Sequence, residues 1–309
     1  MNPSLRVNFA GLSLATPLVL LSGCVGFGEE LLALDGFDFS CIGALCLKGT
    51  TLEPRRGNPP PRLAETPSGL LNAIGLQNPG ARYVTEQILP RITPFPTRLI
   101  ANIAGSTVAE YAEVARLFDN SPVDAIEINI SCPNVKEGGA AFGATADSAA
   151  QVVAAVRRNT RKPIITKLSP NVTDIRPIAT AAIDAGTDAF SAINTMMGMA
   201  VDIHSRRPIL GNKQGGLSGP AIKPIALLKV WQLHQVAAPH QIPIIGQGGI
   251  ASAEDAIEFL LVGATAVGIG TALFQTPLIS GKIVSEIANY LHKQAIPDVA
   301  ALTGTLLNT

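Results

Sequence analysis

The sequence predicts a (β/α)8 barrel, because three observations point to the same architecture. Short apolar runs alternate with longer helix-like segments along the chain, the order that gives parallel strands with helical crossovers. Eight such runs are present, and 309 residues is an ordinary length for this fold. Hydrophobic residues make up 47% of the chain but aromatic residues only 5%, which is typical of an aliphatic parallel sheet. An open doubly wound sheet is the less favoured alternative.

The predicted strands are branched or aliphatic runs that end in glycine or a polar residue. In chain order they are Pro17–Leu21, Cys41–Leu47, Arg98–Asn102, Asp124–Ile130, Pro163–Lys167, Ala189–Asn194, Ile242–Gly246 and Ala266–Gly270. No linker and no internal repeat interrupts them, so residues 1–309 are predicted to form a single domain.

Helical patterns lie between the strands, and several carry end signals. They are Thr107–Phe118, Asp147–Asn159, Thr173–Ala185, Ala221–Gln235 and Ser252–Leu261. Thr173 and Ser252, each followed by acidic residues, are predicted N-caps. Gly186 and Gly263 stand where residues that terminate a helix belong.

Long connections are expected after the second, fourth and sixth strands, where barrels bind their substrates. The first connection is Gly49–Ala81 and the third is Thr195–Gly219. The stretch Val135–Phe142 follows the fourth strand, and its glycine pair suits a mobile lid. These three loops are predicted to surround the site.

Charge and cysteine content exclude several function classes. Lys plus Arg equals Asp plus Glu at 23 each, so no overall field favours nucleic acid or an anionic membrane. The four cysteines show neither a CxxC pair nor zinc spacing, which predicts a reducing, cytoplasmic compartment and no metal site. The amino terminus lacks a signal-like core, and Leu18–Val25 is too short to span a bilayer. The chain is therefore expected to be soluble.

The segment Asn129-Ile-Ser-Cys-Pro-Asn134 is the main candidate for chemistry. Pro133 stops the fourth strand, so a thiol and two carboxamides are held at its mouth. Carboxamides offer donors and acceptors to a flat polar substrate, and a thiol can act as a base or nucleophile. The alternative is a buried apolar cysteine beside a turn.

Glycine-rich turns follow the last two strands, at Gly248–Gly249 and at Gly270–Thr271, and Gly215–Pro220 adds a third. Such loops commonly hold a phosphate on backbone N–H groups, because no Cβ blocks the approach. The pattern does not separate a sugar phosphate from flavin mononucleotide (FMN). No GxGxxG follows the first strand, so a dinucleotide site of the Rossmann type is not expected.

Lys48 and Lys167 both lie at the carboxyl ends of predicted strands. A charged lysine there would neutralise an anionic substrate or a reduced flavin. A lysine of lowered pKa would instead form a Schiff base, as in barrel aldolases. That second option leaves unexplained the thiol and carboxamides of Cys132, Asn72, Asn129, Asn134 and Asn194.

Taken together, these segments resemble dihydroorotate dehydrogenases over nearly the whole chain. The segments are Lys48-Gly-Thr-Thr51, Leu71-Asn-Ala-Ile-Gly-Leu-Gln-Asn78, Asn129-Ile-Ser-Cys-Pro-Asn134, Lys167, Ile193-Asn-Thr195, Gly215-Gly-Leu-Ser-Gly-Pro220 and the two terminal glycine loops. Cysteine within the SCPN motif is similar to the soluble class 1 enzymes. Val135-Lys-Glu-Gly-Gly139 resembles the B-type, which implies NAD as final acceptor.

The resemblance also implies roles for residues and a partner. It gives Cys132 as the base that takes a proton from C5 of dihydroorotate while hydride passes from C6 to the flavin. Substrate contacts are implied for Lys48, Asn72, Ala73, Ile74, Gly75, Leu76, Asn129, Asn134, Asn194 and Thr195. FMN contacts are implied for Ser22, Lys48, Gly49, Asn102, Asn129, Lys167, Ile193, Gly219, Gly248, Gly249, Gly270 and Thr271. The implied assembly is a heterotetramer of two such chains and two subunits carrying FAD and a 2Fe–2S cluster.

Four alternatives stay open from the residues. A fumarate-dependent A-type homodimer would need no partner. A barrel similar to dihydropyrimidine dehydrogenase would take uracil or thymine, although Lys48 and the Asn72 loop fit a carboxylated substrate better. The remaining two are a cofactor-free Schiff-base aldolase and a non-catalytic scaffold barrel.

Overall fold

The computed structural model describes residues 3–131 and 142–307. At its centre is a closed barrel of eight parallel strands in the order of the chain, which confirms the predicted fold class. Cys132, Asn134 and the predicted loop up to residue 141 lie outside the described residues.

The eight barrel strands lie where the apolar runs predicted them, with small shifts at the ends. They are Leu18–Leu20, Ala44–Cys46, Arg98–Ile103, Ala125–Asn129, Ile164–Leu168, Ala189–Ala192, Ile244–Gln247 and Ala266–Ile269. The largest difference is in the second strand, because Phe39–Cys41 forms a 3-10 turn ahead of it. The side chain of Asp38 accepts a hydrogen bond from Ser40 N and so caps that turn.

Helices follow most barrel strands on the outside of the barrel. The α-helices are Glu29–Leu32, Ala81–Tyr83, Leu89–Ile92, Val108–Asp119, Ala146–Arg157, Arg176–Asp184, Lys223–Ala237, Ala253–Leu261, Ala272–Gln275 and Ile279–Lys293, with a π-helical turn at Val84–Ile88. Further 3-10 turns are Pro220–Ile222, Ala238–His240 and Val299–Leu302. Within the two described ranges, every helix is too short or too polar to traverse a lipid bilayer.

Ser252 is an N-cap as predicted, since its side chain accepts from Asp255 N. Thr173 is not, and that prediction was wrong: the helix begins at Arg176. A helix capped by Thr173 would place Pro177 where a backbone N–H must bond the cap carbonyl, and proline has none. Starting at Arg176 instead puts the proline in the first turn, where it is tolerated.

The long connections after the second and sixth strands are confirmed, and they join into one antiparallel sheet. Its strands, in spatial order, are Met196–Gly198, Gly215–Ser218, Gly69–Asn72 and Leu63–Thr66. Two small hairpins complete the strands, Val201–Asp202 with Arg207–Pro208 and Val7–Phe9 with Leu12–Leu14. The sequence predicted long loops here and an ordered segment at Asn72–Asn78, but it did not predict these strands.

The barrel strands are buried on both faces, but the two faces differ in chemistry. In the fourth strand, all five residues from Ala125 to Asn129 are buried. Ile126 and Ile128 belong to the main hydrophobic core. Glu127 and Asn129 alternate with them and point into the barrel, where their hydrogen-bond partners lie. This polar interior is at the carboxyl end, the end that the long connections surround.

Candidate active site

A buried carboxylate, Glu127, lies inside this end of the barrel, with 1% exposure. Its Oε1 accepts from Asn102 Nδ2 at 2.5 Å and from Cys46 Sγ at 3.3 Å, and its Oε2 accepts from Ser191 Oγ at 2.6 Å. Lys167 Nζ lies 3.7 Å from Oε1, also buried. Four other barrel strands therefore contribute one partner each to a single side chain.

From Glu127, a chain of amides runs outward toward the mouth of the barrel. Asn129 Nδ2 donates to Asn102 Oδ1 at 3.5 Å, and Asn194 Nδ2 donates to Asn129 Oδ1 at 3.3 Å. Ser131 lies beside the chain, where its hydroxyl accepts from Asn194 Nδ2 at 2.8 Å. Asn102 and Asn129 are buried, whereas Asn194 is half-buried. The amides thus bridge the closed interior and the open rim.

The chain continues from Asn194 to the antiparallel sheet. Thr195 N donates to Asn194 Oδ1 at 2.8 Å. Thr195 packs so tightly against Gly216 that a Cβ at residue 216 would overlap its hydroxyl. Gly216 O in turn accepts from Asn72 Nδ2 at 3.3 Å. The two long connections therefore bring Asn72 and Thr195 close together, next to Asn194.

The segment from Asn72 to Asn78 is held in place by polar contacts. Asn58 donates to Ala73 O at 3.1 Å through its side chain and to Ile74 O at 3.0 Å through its backbone. Gly75 and Leu76 have φ of 74° and 55°, and the side chain of Asn78 donates to Leu76 O at 2.7 Å. A leucine in the left-handed region is uncommon and needs such anchoring. The segment is a fixed wall of the site.

The positive charges of Lys48 and Lys167 both affect Cys24, which follows the first barrel strand. Burial raises the pKa of the Cys24 thiol to about 11, and the positive charges of Lys167 and Lys48 only partly offset that rise. The charges of both ammonium groups therefore act on this thiol. A Cβ placed on Gly23 would lie 3.9 Å from Lys48 Nζ, which sets the amine beside the loop that follows the first strand.

Three glycine turns meet where the connection after the sixth strand, the seventh strand and the eighth strand end. Gly219, Gly248 and Gly249 have φ of 93°, 130° and 89°, which L side chains rarely adopt. A Cβ on Gly249 would lie 2.8 Å from Gly219 O, so these turns are in close contact. Thr271 Oγ1 donates to Ser218 Oγ at 2.8 Å and ties the turn after the eighth strand to the same place.

One buried hydrogen-bond acceptor in this region lacks a partner within the described part of the chain. Gln247 Nε2 donates to Ile193 O at 3.1 Å, but Gln247 Oε1 has no hydrogen-bond partner among the described residues. Buried polar atoms are normally satisfied, so an unpaired one calls for a ligand or another cause. Gln247 ends the seventh strand, next to Gly248.

Most predicted site residues come together at this end of the barrel. Ser22 follows the first strand, which ends at Leu20. A Cβ on Gly49 would lie 2.7 Å from Asn102 Oδ1 and 3.3 Å from Leu76, which places the residue between two predicted contacts. Gly270 lies against Cys24. In the described ranges, no group of three His, Cys, Asp or Glu side chains is arranged to hold a metal ion.

Sequence reasoning missed Glu127, Ser191 and Gln247. The signal for Glu127 was present: it is a charged residue inside a buried strand, two positions before Asn129 and thus on the same face. Ser191 and Gln247 carry no such signal, because a serine or glutamine near a strand end is common.

Comparisons with known proteins show the family of this chain. A family model described as dihydroorotate dehydrogenase matches residues 4–291. A Desulforudis audaxviator protein named dihydroorotate dehydrogenase B (NAD(+)), catalytic subunit, is 50% identical over 310 residues, which is 100% of this chain and 99% of the relative. A Porphyromonas gingivalis protein of the same name is 53% identical over 298 residues, 96% of this chain and 95% of the relative.

Solved structures give the same fold at lower sequence identity. The crystal structure of an Eimeria tenella DHODH in complex with ferulenol matches with a TM-score of 0.79 and 23% identity, covering 98% of this chain and 88% of that one. At this identity the match shows the shared fold alone. The family model and the full-length relatives decide the identity, and this chain belongs to the dihydroorotate dehydrogenase family.

Proposed function

We propose that this chain is the catalytic subunit of a B-type dihydroorotate dehydrogenase, which oxidises (S)-dihydroorotate to orotate in pyrimidine biosynthesis and passes the electrons to NAD through a partner subunit. The observation that carries the proposal is the line of amides from Asn102 to Asn72, which has Lys167 at its inner end, 3.7 Å from Glu127. The names of the full-length relatives support the B type.

The line of amides suits a flat heterocycle with one charge. Orotate alternates carbonyl and N–H groups around its ring and carries one carboxylate. Asparagine side chains offer one acceptor and two donors each, so Asn72, Asn129 and Asn194 match such an edge. Lys48 would meet the carboxylate as a point charge. The remaining proposed contacts, from Ala73 to Leu76 and at Thr195 and Asn134, surround the same place in sequence or structure.

The residues present also fit FMN, the cofactor on which this family depends. A flavin ring has an N–H that would satisfy the unpaired Gln247 Oε1, and the meeting glycine turns leave backbone N–H groups for a phosphate. The residues that would hold FMN are Ser22, Lys48, Gly49, Asn102, Asn129, Lys167, Ile193, Gly219, Gly248, Gly249, Gly270 and Thr271. Bound FMN supplies an acceptor for the hydride that leaves the substrate.

The remaining chemistry is the removal of a proton from the substrate, for which Cys132 is the proposed base. The preceding residue is fixed, since Ser131 N and Ser131 Oγ both donate to Asn129 Oδ1, at 3.4 and 3.3 Å. The thiol therefore follows directly from an anchored residue. An ordinary cysteine has a pKa of about 8.5, so its fraction of thiolate, and with it the proposed rate of proton removal, rises with pH.

The proposed partner carries FAD and a 2Fe–2S cluster, and the proposed assembly contains two copies of each chain. These statements extend the word "subunit" in the names of the relatives. They predict that the isolated chain is reduced by dihydroorotate but does not reduce NAD on its own.

The visible spectrum of the purified chain before and after anaerobic dihydroorotate tests the proposal. We expect a yellow protein whose flavin absorbance bleaches with dihydroorotate and remains with dihydrouracil. A colourless protein in which Lys167 is trapped by borohydride would overturn it in favour of an aldolase. Turnover of the isolated chain with fumarate would instead identify an A-type enzyme.

A further inference from the structure

Glu127 has no part in the reaction proposed above, yet side chains from four other barrel strands bond to it or pair with it. Its two oxygens accept from Asn102, Cys46 and Ser191, and Lys167 pairs with it at 3.7 Å. A carboxylate can only accept hydrogen bonds, whereas an amide has one accepting and one donating end. Glu127 therefore dictates which end of the neighbouring amide faces it.

That constraint passes along the chain of amides. Asn102 turns Nδ2 to Glu127, which leaves Oδ1 for Asn129 Nδ2. Asn129 then presents Oδ1 to Asn194 Nδ2. At the outer end, Thr195 N donates to Asn194 Oδ1, so the same polarity closes the chain on a backbone donor.

We infer that Glu127 is a positioning residue for substrate recognition: it anchors the inner end of the amide chain whose outer end binds orotate. This inference rests on the proposed function. Without an acceptor at residue 127, Asn102 Nδ2 is left unpaired at 1% exposure. Rotation of the amide does not relieve this, because it sets two NH2 groups of Asn102 and Asn129 against each other. Either result displaces the residues that face the substrate.

A pair of substitutions separates the acceptor from the charge. Glu127→Gln keeps an oxygen for Asn102, and its amide nitrogen can donate to Ser191 Oγ. Glu127→Leu removes the acceptor at similar volume. Ser191→Ala is the matched control, because it deletes a different hydrogen bond of the same carboxylate and leaves the amide chain intact.

The measurement is the Kd of orotate, read from the shift of flavin absorbance, with FMN content and melting temperature for each protein. We expect Glu127→Leu to weaken binding at least ~10-fold, and Glu127→Gln and Ser191→Ala to stay within ~3-fold of wild type. A loss smaller than that in Glu127→Leu, or an equal loss in Glu127→Gln, overturns the inference. If Glu127→Leu does not retain FMN, Glu127→Ala, which also removes the acceptor, takes its place with the same thresholds.

The wild-type control keeps this result apart from the proposed function. Wild-type protein that neither binds orotate nor is reduced by dihydroorotate refutes the proposed function. Wild-type protein that does both, with a Glu127→Leu variant that binds orotate normally, refutes only the inference on Glu127.

Discussion

Both faces of the fourth barrel strand are buried, but one packs in the hydrophobic core and the other makes polar contacts. Ile126 and Ile128 are 0% exposed and pack in the hydrophobic core, while Glu127 and Asn129 are 1% and 8% exposed and bond to polar groups from other parts of the chain. Burial alone therefore does not separate a structural residue from a functional one in this barrel. The alternation of side chains along the strand does.

The largest expected effect is on catalysis and concerns Cys132, which follows the fourth strand in the sequence. Cys132→Ala should slow flavin reduction by dihydroorotate at least ~10²-fold, because a general base is lost, while FMN stays bound. Stopped-flow absorbance under anaerobic conditions measures the rate. Normal half-reaction kinetics would remove Cys132 from the mechanism.

A substitution on the outer face should lower stability and leave orotate binding unchanged. Ile128→Ala deletes buried methyl groups and should lower the free energy of unfolding by ~2–5 kcal/mol. Orotate affinity should remain near that of wild type, because Ile128 faces away from the site. Urea unfolding at fixed FMN concentration and orotate titration measure the two quantities. A large loss of affinity with unchanged stability would contradict the division into two faces.

Lys167, on the strand next to Glu127, tests the charge of the inner face. If its ammonium group stabilises the reduced flavin, Lys167→Ala should make the midpoint potential more negative by at least ~30 mV, which is about 1.4 kcal/mol for two electrons. Spectroelectrochemistry measures the potential. Lys162→Ala is the control, since Lys162 Nζ bonds Ser121 O and Val123 O instead. Equal potentials in the Lys167 variant and wild type would refute this role.

The pH dependence should belong to Cys132 and not to the thiol of Cys24. Burial raises the pKa of Cys24 to about 11, so this group stays protonated across the range in which an ordinary thiol, at about 8.5, ionises. Its contribution to stability is present below about pH 8.5 and is lost as pH rises toward the folded value. Cys24→Ser should therefore keep the rise of activity from about pH 7 to 9. A flattened profile in that variant would assign the ionisation to Cys24.

The smallest expected effect concerns the N-cap of a helix outside the barrel strands. Ser252→Ala removes the side chain that caps the helix Ala253–Leu261 and should lower stability by ~1 kcal/mol. Thermal melting measures the change, and the flavin potential and orotate affinity should not move. A shift in either would show that this cap supports the site.

The sequence was sufficient for much of the barrel. Apolar runs predicted all eight strands, because a parallel sheet buried on both faces needs continuous branched residues. Helix ends that depend only on residues close in the sequence, such as the N-cap at Ser252, were also predictable. The predicted helix start at Thr173 was wrong because Pro177, four residues later, lacks the backbone N–H that this start requires.

Contacts between distant segments could not be predicted in the same way. The two long connections were expected as loops, since nothing local tells residues 69–72 that residues 215–218 will pair with them. The role of Glu127 depends on partners from four other strands, so it emerges only when the barrel closes. Cys132 and Asn134 lie outside the described residues, and their roles stay predictions.

The shared antiparallel sheet limits how the specificity of this enzyme can be redesigned. Asn72 and Gly216 are 144 positions apart in sequence, yet they are neighbours in one ladder. Grafting a foreign segment at either position alone would leave the other strand without its hydrogen-bonding register. A new substrate preference would therefore have to be transplanted as a matched pair of segments, exchanged together.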